Sequence, residues 1–92
     1  MDNQEIIFRF IQWAWSHHLT VEVGDEMVAH WEYSAPATLL LRIRLSKGDR
    51  HYQQTFKDWQ DLATVAKEGY LDQYARELVL PPFSEFLETF KR

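Results

Sequence analysis

TLLLRIRLSKGDRHYQQTF, from Thr38 to Phe56, reads as two β-strands joined by a tight turn. Leu39, Leu41, Ile43 and Leu45 share one face of the first strand, and Leu40, Arg42, Arg44 and Ser46 share the other. That period of two marks a half-buried strand. From His51 to Phe56 the alternation resumes, with Tyr52, Gln54 and Phe56 opposed to His51, Gln53 and Thr55. A two-residue loop with Gly first, here Gly48-Asp49, suits a type II′ turn, whose twist matches paired strands. Such a loop sets Lys47 against Arg50, Leu45 against Tyr52 and Ile43 against Gln54. The apolar faces then coincide, apart from Gln54. A one-residue slip would bring Leu45 against His51 and destroy the match.

Upstream of the hairpin, Leu19, Val21 and Val23 alternate with Thr20 and Glu22. Gly24-Asp25-Glu26 then reads as a short loop. Met27, Ala29, Trp31 and Tyr33 alternate with Val28, His30 and Glu32 to make a further strand. Residues 2 to 17 read as a helix. Asp2 is its N-cap, with Glu5 three positions on. Ile7, Phe10, Ile11 and Ala14 form its stripe, and Ile6, Trp13 and Trp15 widen the apolar surface. Packing on two sides, or a side reserved for a partner, explains such a girth.

After Phe56 the spacing becomes helical. Thr55 or Asp58 caps a helix whose stripe is Trp59, Leu62, Ala63 and Ala66, with Gly69 as its C′ residue. Leu71, Tyr74, Ala75 and Leu78 mark a second helix, and Pro81-Pro82 stops it. Phe83, Phe86, Leu87 and Phe90 mark a last one, Phe83 to Lys91. The expected fold is α+β. An N-terminal helix precedes a four-stranded antiparallel β-meander, two to three C-terminal helices follow, and the helices pack on one face of the sheet. The expected core is Ile7, Phe10, Ile11, Val21, Trp31, Leu41, Ile43, Tyr52, Trp59, Leu62 and Phe86. Thr20, Glu22, His30, Glu32, Arg42, Arg44, His51, Gln53 and Thr55 fall on the other, mostly polar face, with Val28 and Leu40 among them.

Ninety-two residues make one domain with one core and little room for a deep cleft. Aromatic residues make up 15 % of the chain and include four Trp. Large rings supply the buried area a small core needs. There is no Cys, so disulfide and thiol chemistry are excluded and nothing points to an oxidising compartment. MDNQEII lacks the positive region and apolar run of a signal peptide. No apolar run approaches the ~18 residues that span a bilayer. A soluble cytoplasmic protein without a membrane partner is expected.

Catalytic constellations are not evident. His17-His18 ends the first helix, where the dipole favours a cation, and adjacent helical residues do not chelate. His30 and His51 sit on strands separated by a third, roughly 10 Å apart, too far to share a metal. Neither HExxH nor any paired-Cys spacing occurs, and no GxGxxG or GxxxxGK[ST] loop is present to cradle phosphate. Ser16, Ser34 and Ser46 lack the strand-turn-helix Gly context of a nucleophile. The carboxylates scatter over three helices as solvated faces. No enzyme activity, cofactor or metal is expected.

Charge is more informative. Thr38 to His51 holds Arg42, Arg44, Lys47 and Arg50 against Asp49 alone, a local charge of +3. That leaves −7 on the remainder of a chain whose total is −4. Glu22 and Glu32 share a face with Arg42 and Arg44, and could compensate them by cross-strand pairing worth ~0.2–1 kcal/mol. Otherwise Arg42, Arg44, Lys47, Arg50 and His51 form a contact for carboxylates or phosphates, which arginine forks suit.

Two function classes follow. One is a non-enzymatic protein-binding module, a small regulator or inhibitor occupying a surface of a protein or nucleoprotein complex. Small phage or mobile-element proteins that block host machinery, anti-CRISPR proteins among them, are similar in being short, acidic and Cys-free. The other is RNA or single-strand binding through the sheet and the basic hairpin. The order of helix, strands and helix resembles double-stranded RNA-binding domains in outline. Those domains are similar to one another in a Lys-rich start to the helix after the sheet. Here that helix opens Lys57-Asp58-Trp59-Gln60-Asp61, which would repel phosphate. Single-strand readers place aromatics on an open sheet face, whereas Trp31, Tyr33, Tyr52 and Phe56 are assigned to the core. Free nucleic acid is therefore an unfavoured partner. The apolar girth of the first helix leaves both monomer and homodimer open.

Overall fold

The computed structural model of the chain describes residues 1–28 and 38–90. Its order is α1 (Asn3–Ser16), β1 (Thr20–Val28), β2 (Thr38–Lys47), β3 (Arg50–Phe56), α2 (Trp59–Lys67), α3 (Asp72–Leu78) and α4 (Phe83–Glu88). The fold is α+β, with an antiparallel sheet in the order β1-β2-β3. Among the described residues that sheet has three strands, not the expected four.

The difference lies at Gly24. Thr20 to Val28 is one continuous strand, and all nine of its residues pair with β2, from Thr20–Ser46 to Val28–Thr38. Gly24 pairs with Arg42, and the Arg42 Nη2 lies 3.0 Å from where a Gly24 Cβ would stand. The glycine therefore marks a close approach of a neighbouring side chain, not a turn. Parity agrees, since Val21, Val23 and Met27 are all odd-numbered and need no loop to share a face. The rest of the expected second strand, Ala29 to Tyr33, lies outside the described residues.

The central hairpin has the expected register, with Lys47–Arg50, Leu45–Tyr52 and Ile43–Gln54 paired. Gly48 sits at φ +61 while Asp49 is not at positive φ, as a type II′ turn requires. Gly48→Val is expected to cost about 1 kcal/mol through the left-handed backbone it would have to adopt, whereas Asp49→Asn stays neutral. Thermal melts check this, and an unchanged Gly48→Val midpoint would refute the turn assignment.

All four helices lie on one side of the sheet. Ile43, Leu45 and Phe56 are buried there with Ile6, Phe10, Trp13, Leu62, Tyr74 and Phe83. Among the described residues the core contains no buried polar or charged residue. The helix α1 stripe is rotated from the expected one: Ile6, Phe10, Trp13 and Ala14 are buried, while Ile7 and Ile11 only flank the core. Val21, Leu41, Tyr52 and Phe86 flank it too. Trp59, at the exposed start of α2, is not a core residue. Trp31 lies outside the described residues.

Local chemistry sets the helix ends. Asp2 accepts a hydrogen bond from the Glu5 N–H, and Asp58 accepts one from the Asp61 N–H, so both are N-caps. Helix α2 stops in a Schellman motif, with the Tyr70 N–H on Val65 C=O and Gly69 left-handed at φ +85. Helix α1 stops the same way with His18 at φ +60, and α3 with Val79 at φ +57. Asp72 ties the last two helices together by accepting from both the N–H and the hydroxyl of Ser84. Tyr74 ties helices to sheet: its hydroxyl donates to Ile43 C=O (2.7 Å) and accepts from the Gln54 N–H (3.1 Å).

Candidate functional site

Alternation along the three strands decides what the uncovered face presents. Odd-numbered residues of β1 and β2 and even-numbered residues of β3 turn toward the helices. On the opposite face β1 contributes Thr20, Glu22, Gly24 and Glu26, β2 contributes Leu40, Arg42, Arg44 and Ser46, and β3 contributes His51, Gln53 and Thr55. None of these is buried.

The face is therefore striped. The acidic stripe is Glu22 and Glu26 on β1. The basic stripe is Arg42 and Arg44 on the central strand, and β3 adds a polar margin. Glu22 stands level with Arg44, and Gly24 with Arg42. The expected compensation between Glu22 and these arginines does not form. Among the described residues the recorded ion pair is Arg9 with Glu5, at 3.7 Å. Glu32, the other expected compensator, lies outside those residues, as does His30. Arg42 lies across the bare backbone of Gly24. Arg44 has its Nε shut away from solvent without a hydrogen-bond partner, so its outer nitrogens are what it offers.

The structure divides the five residues of the basic hairpin. Arg42, Arg44 and His51 share the uncovered face. Lys47 and Arg50 pair at the turn and alternate to the other side, where both are exposed at the tip. Closeness along the chain grouped them, and strand alternation separates them. Glu26 and Gly24 belong to the face but were hidden by the loop assignment. The shared odd parity of Val21, Val23 and Met27 on either side of Gly24 was the signal that could have revealed them, and Asp25 interrupts it.

Phe8, Ile11, Gln12 and Trp15 line an apolar groove of about 340 Å³ on the outer side of α1, with Phe8 60 % and Trp15 67 % exposed. Trp13, by contrast, is fully buried. Asp58 and Asp61 are engaged locally: Asp58 caps α2, and Asp61 accepts from the Lys57 N–H. A concavity of about 760 Å³ runs between β3 and the α2–α3 turn, walled by Tyr52, Tyr70, Gln73 and Arg76. Among the described residues, no three acidic or His side chains converge as a metal site would need. Nor is any helix among them long and apolar enough to cross a membrane.

No family model matches the chain, and neither a curated protein nor a solved structure matches it.

Proposed function

We propose that this is a non-enzymatic binding module, a small regulator or inhibitor that occupies a surface of a protein or nucleoprotein complex through the open face of its sheet. On this reading it works in the cytoplasm, as phage or mobile-element proteins that block host machinery do. One observation carries the reading. Arg42 and Arg44 stand on the uncovered face of the central strand, level with Gly24 and Glu22, and form no ion pair among the described residues. Cations held on a central strand and left without an ionic partner among the described residues are ready to meet carboxylates. His51 extends the patch, and Lys47 with Arg50 lets the hairpin tip contribute from the other side.

The striping favours a protein over free nucleic acid. A polynucleotide groove needs a continuous positive track and aromatic platforms. Here Glu22 and Glu26 border the arginines, and no aromatic residue stands on this face among the described residues. The test is Arg42→Glu with Arg44→Glu, against a partner captured from lysate by the wild-type protein and identified by mass spectrometry. The double reversal should weaken binding by about 30-fold, as expected where charged anchors lie central to an interface. Wild-type affinity at both low and high salt would remove this face from the interface. Steep loss of wild-type binding with salt on bare RNA or single-stranded DNA would favour the nucleic-acid reading instead.

A further inference from the structure

We infer that the open face is complementary to itself, and that a second copy of this chain covers Arg42 and Arg44 when no other partner does. The inference rests on reading that face as the contact surface, and it adds a means of regulating it.

In a two-fold dimer a residue away from the axis meets a different residue of the other copy, and that contact recurs in reverse. Charges on such a surface must therefore change sign across the axis. The stripes do so across the line between β1 and β2. Consider two sheets face to face, related by a two-fold axis parallel to the strands and midway between β1 and β2. The rotation keeps every residue at its own level and exchanges the two strands. Because Glu22 and Arg44 share a level, Glu22 of each copy then meets Arg44 of the other. Arg42 meets the level of Gly24, where that copy's own Arg42 already lies across the backbone, so the Glu22–Arg44 contacts carry the match, and Glu26 meets Leu40. Packed sheets cross by roughly 30°, so the match is best close to the axis, where these residues lie. A two-fold axis across the strands would instead set β1 on β1 and β2 on β2, bringing glutamates together and arginines together. The charge pattern thus selects one geometry.

Among the residues whose side chains are described, Leu40 is the one large apolar residue of this face, so the dimer is reversible and salt-sensitive. A partner with a denser acidic surface displaces the second copy. The basic stripe is shielded at high concentration of the free protein and released on binding.

Sedimentation velocity on the protein alone, from micromolar to millimolar concentration and at low and high salt, tests this. Wild type should show a monomer–dimer equilibrium that weakens with salt. Glu22→Arg and Arg44→Glu, each folded by circular dichroism, should each weaken dimerisation by about tenfold or more, since each sets like charges together twice. The charge swap combining both should restore it. Should either single reversal fail to fold, Glu22→Gln and Arg44→Gln serve in its place, with weakening again expected. A monomeric wild type at millimolar concentration would overturn the proposal, as would a charge swap no better than the single reversals. Dimers insensitive to both but abolished by Trp15→Ala would place the seam on the α1 groove, and would overturn it too. Partner capture is measured separately, so the binding-module reading can fail while this one stands, and the reverse.

Discussion

Phe10→Ala is expected to remove about 3–5 kcal/mol of stability, a large share of the roughly 5–15 kcal/mol available to a small domain. Phe10 is fully buried in α1, and its ring meets Trp13 at 6.0 Å, Tyr74 at 5.4 Å and Phe83 at 5.3 Å between centroids. It thus joins α1 to α3 and α4. Its neighbours are large, rigid rings that cannot relax into the space, so the substitution leaves a cavity as well as losing burial. Urea melts measure the loss. Trp15→Ala, on the exposed side of the same helix, is the control and should stay within about 0.5 kcal/mol of wild type. A Phe10→Ala loss no larger than that of the control would mean that the aromatic cluster does not hold the helices together.

Tyr74→Phe is expected to cost about 1–3 kcal/mol at neutral pH, because it leaves the Ile43 carbonyl and the Gln54 N–H without their shared partner. It should also change how stability depends on pH. Burial pushes the Tyr74 phenol well above its ordinary value of 10.0; the hydrogen bond from Gln54 opposes the rise, and the Tyr52 phenol adds to it. Above pH 10.0 the unfolded chain therefore releases a proton that the folded chain keeps. The folded state binds more protons there, so stability falls as pH rises, by up to about 1.4 kcal/mol per pH unit. Below that pH both states hold the proton and the contribution is complete. Denaturant melts from pH 8 to pH 11 should show a steeper alkaline loss for wild type than for Tyr74→Phe. Parallel curves would mean that the hydroxyl is not buried between sheet and helix.

Much of this was legible from local chemistry. The Gly48-Asp49 turn, the hairpin register and the caps at Asp2, Asp58 and Gly69 depend on residues within a few positions of one another, so short spacings suffice to read them. The helices covering Tyr52 and Phe56 also followed, because the apolar parity of both hairpin strands agreed. Gly24 was misread because a glycine serves equally a turn and a close approach. Only the Arg42 side chain of the neighbouring strand distinguishes the two. Trp13 and Trp15 have the same composition signal and opposite fates, since the direction from which α3 and α4 approach α1 decides which ring is enclosed.

The sequence by itself determined the α+β class, the element types outside Gly24, and the basic character of the segment from Arg42 to His51. These rest on periodicity and local hydrogen bonding. Only the tertiary structure decided that Arg42, Arg44 and His51 share one open face while Lys47 and Arg50 leave it, and that Glu22 stands level with Arg44 without pairing to it. Those relations depend on how strands lie beside one another and which side the helices cover, and burial of Ile43, Leu45 and Phe56 against the helices settles both at once.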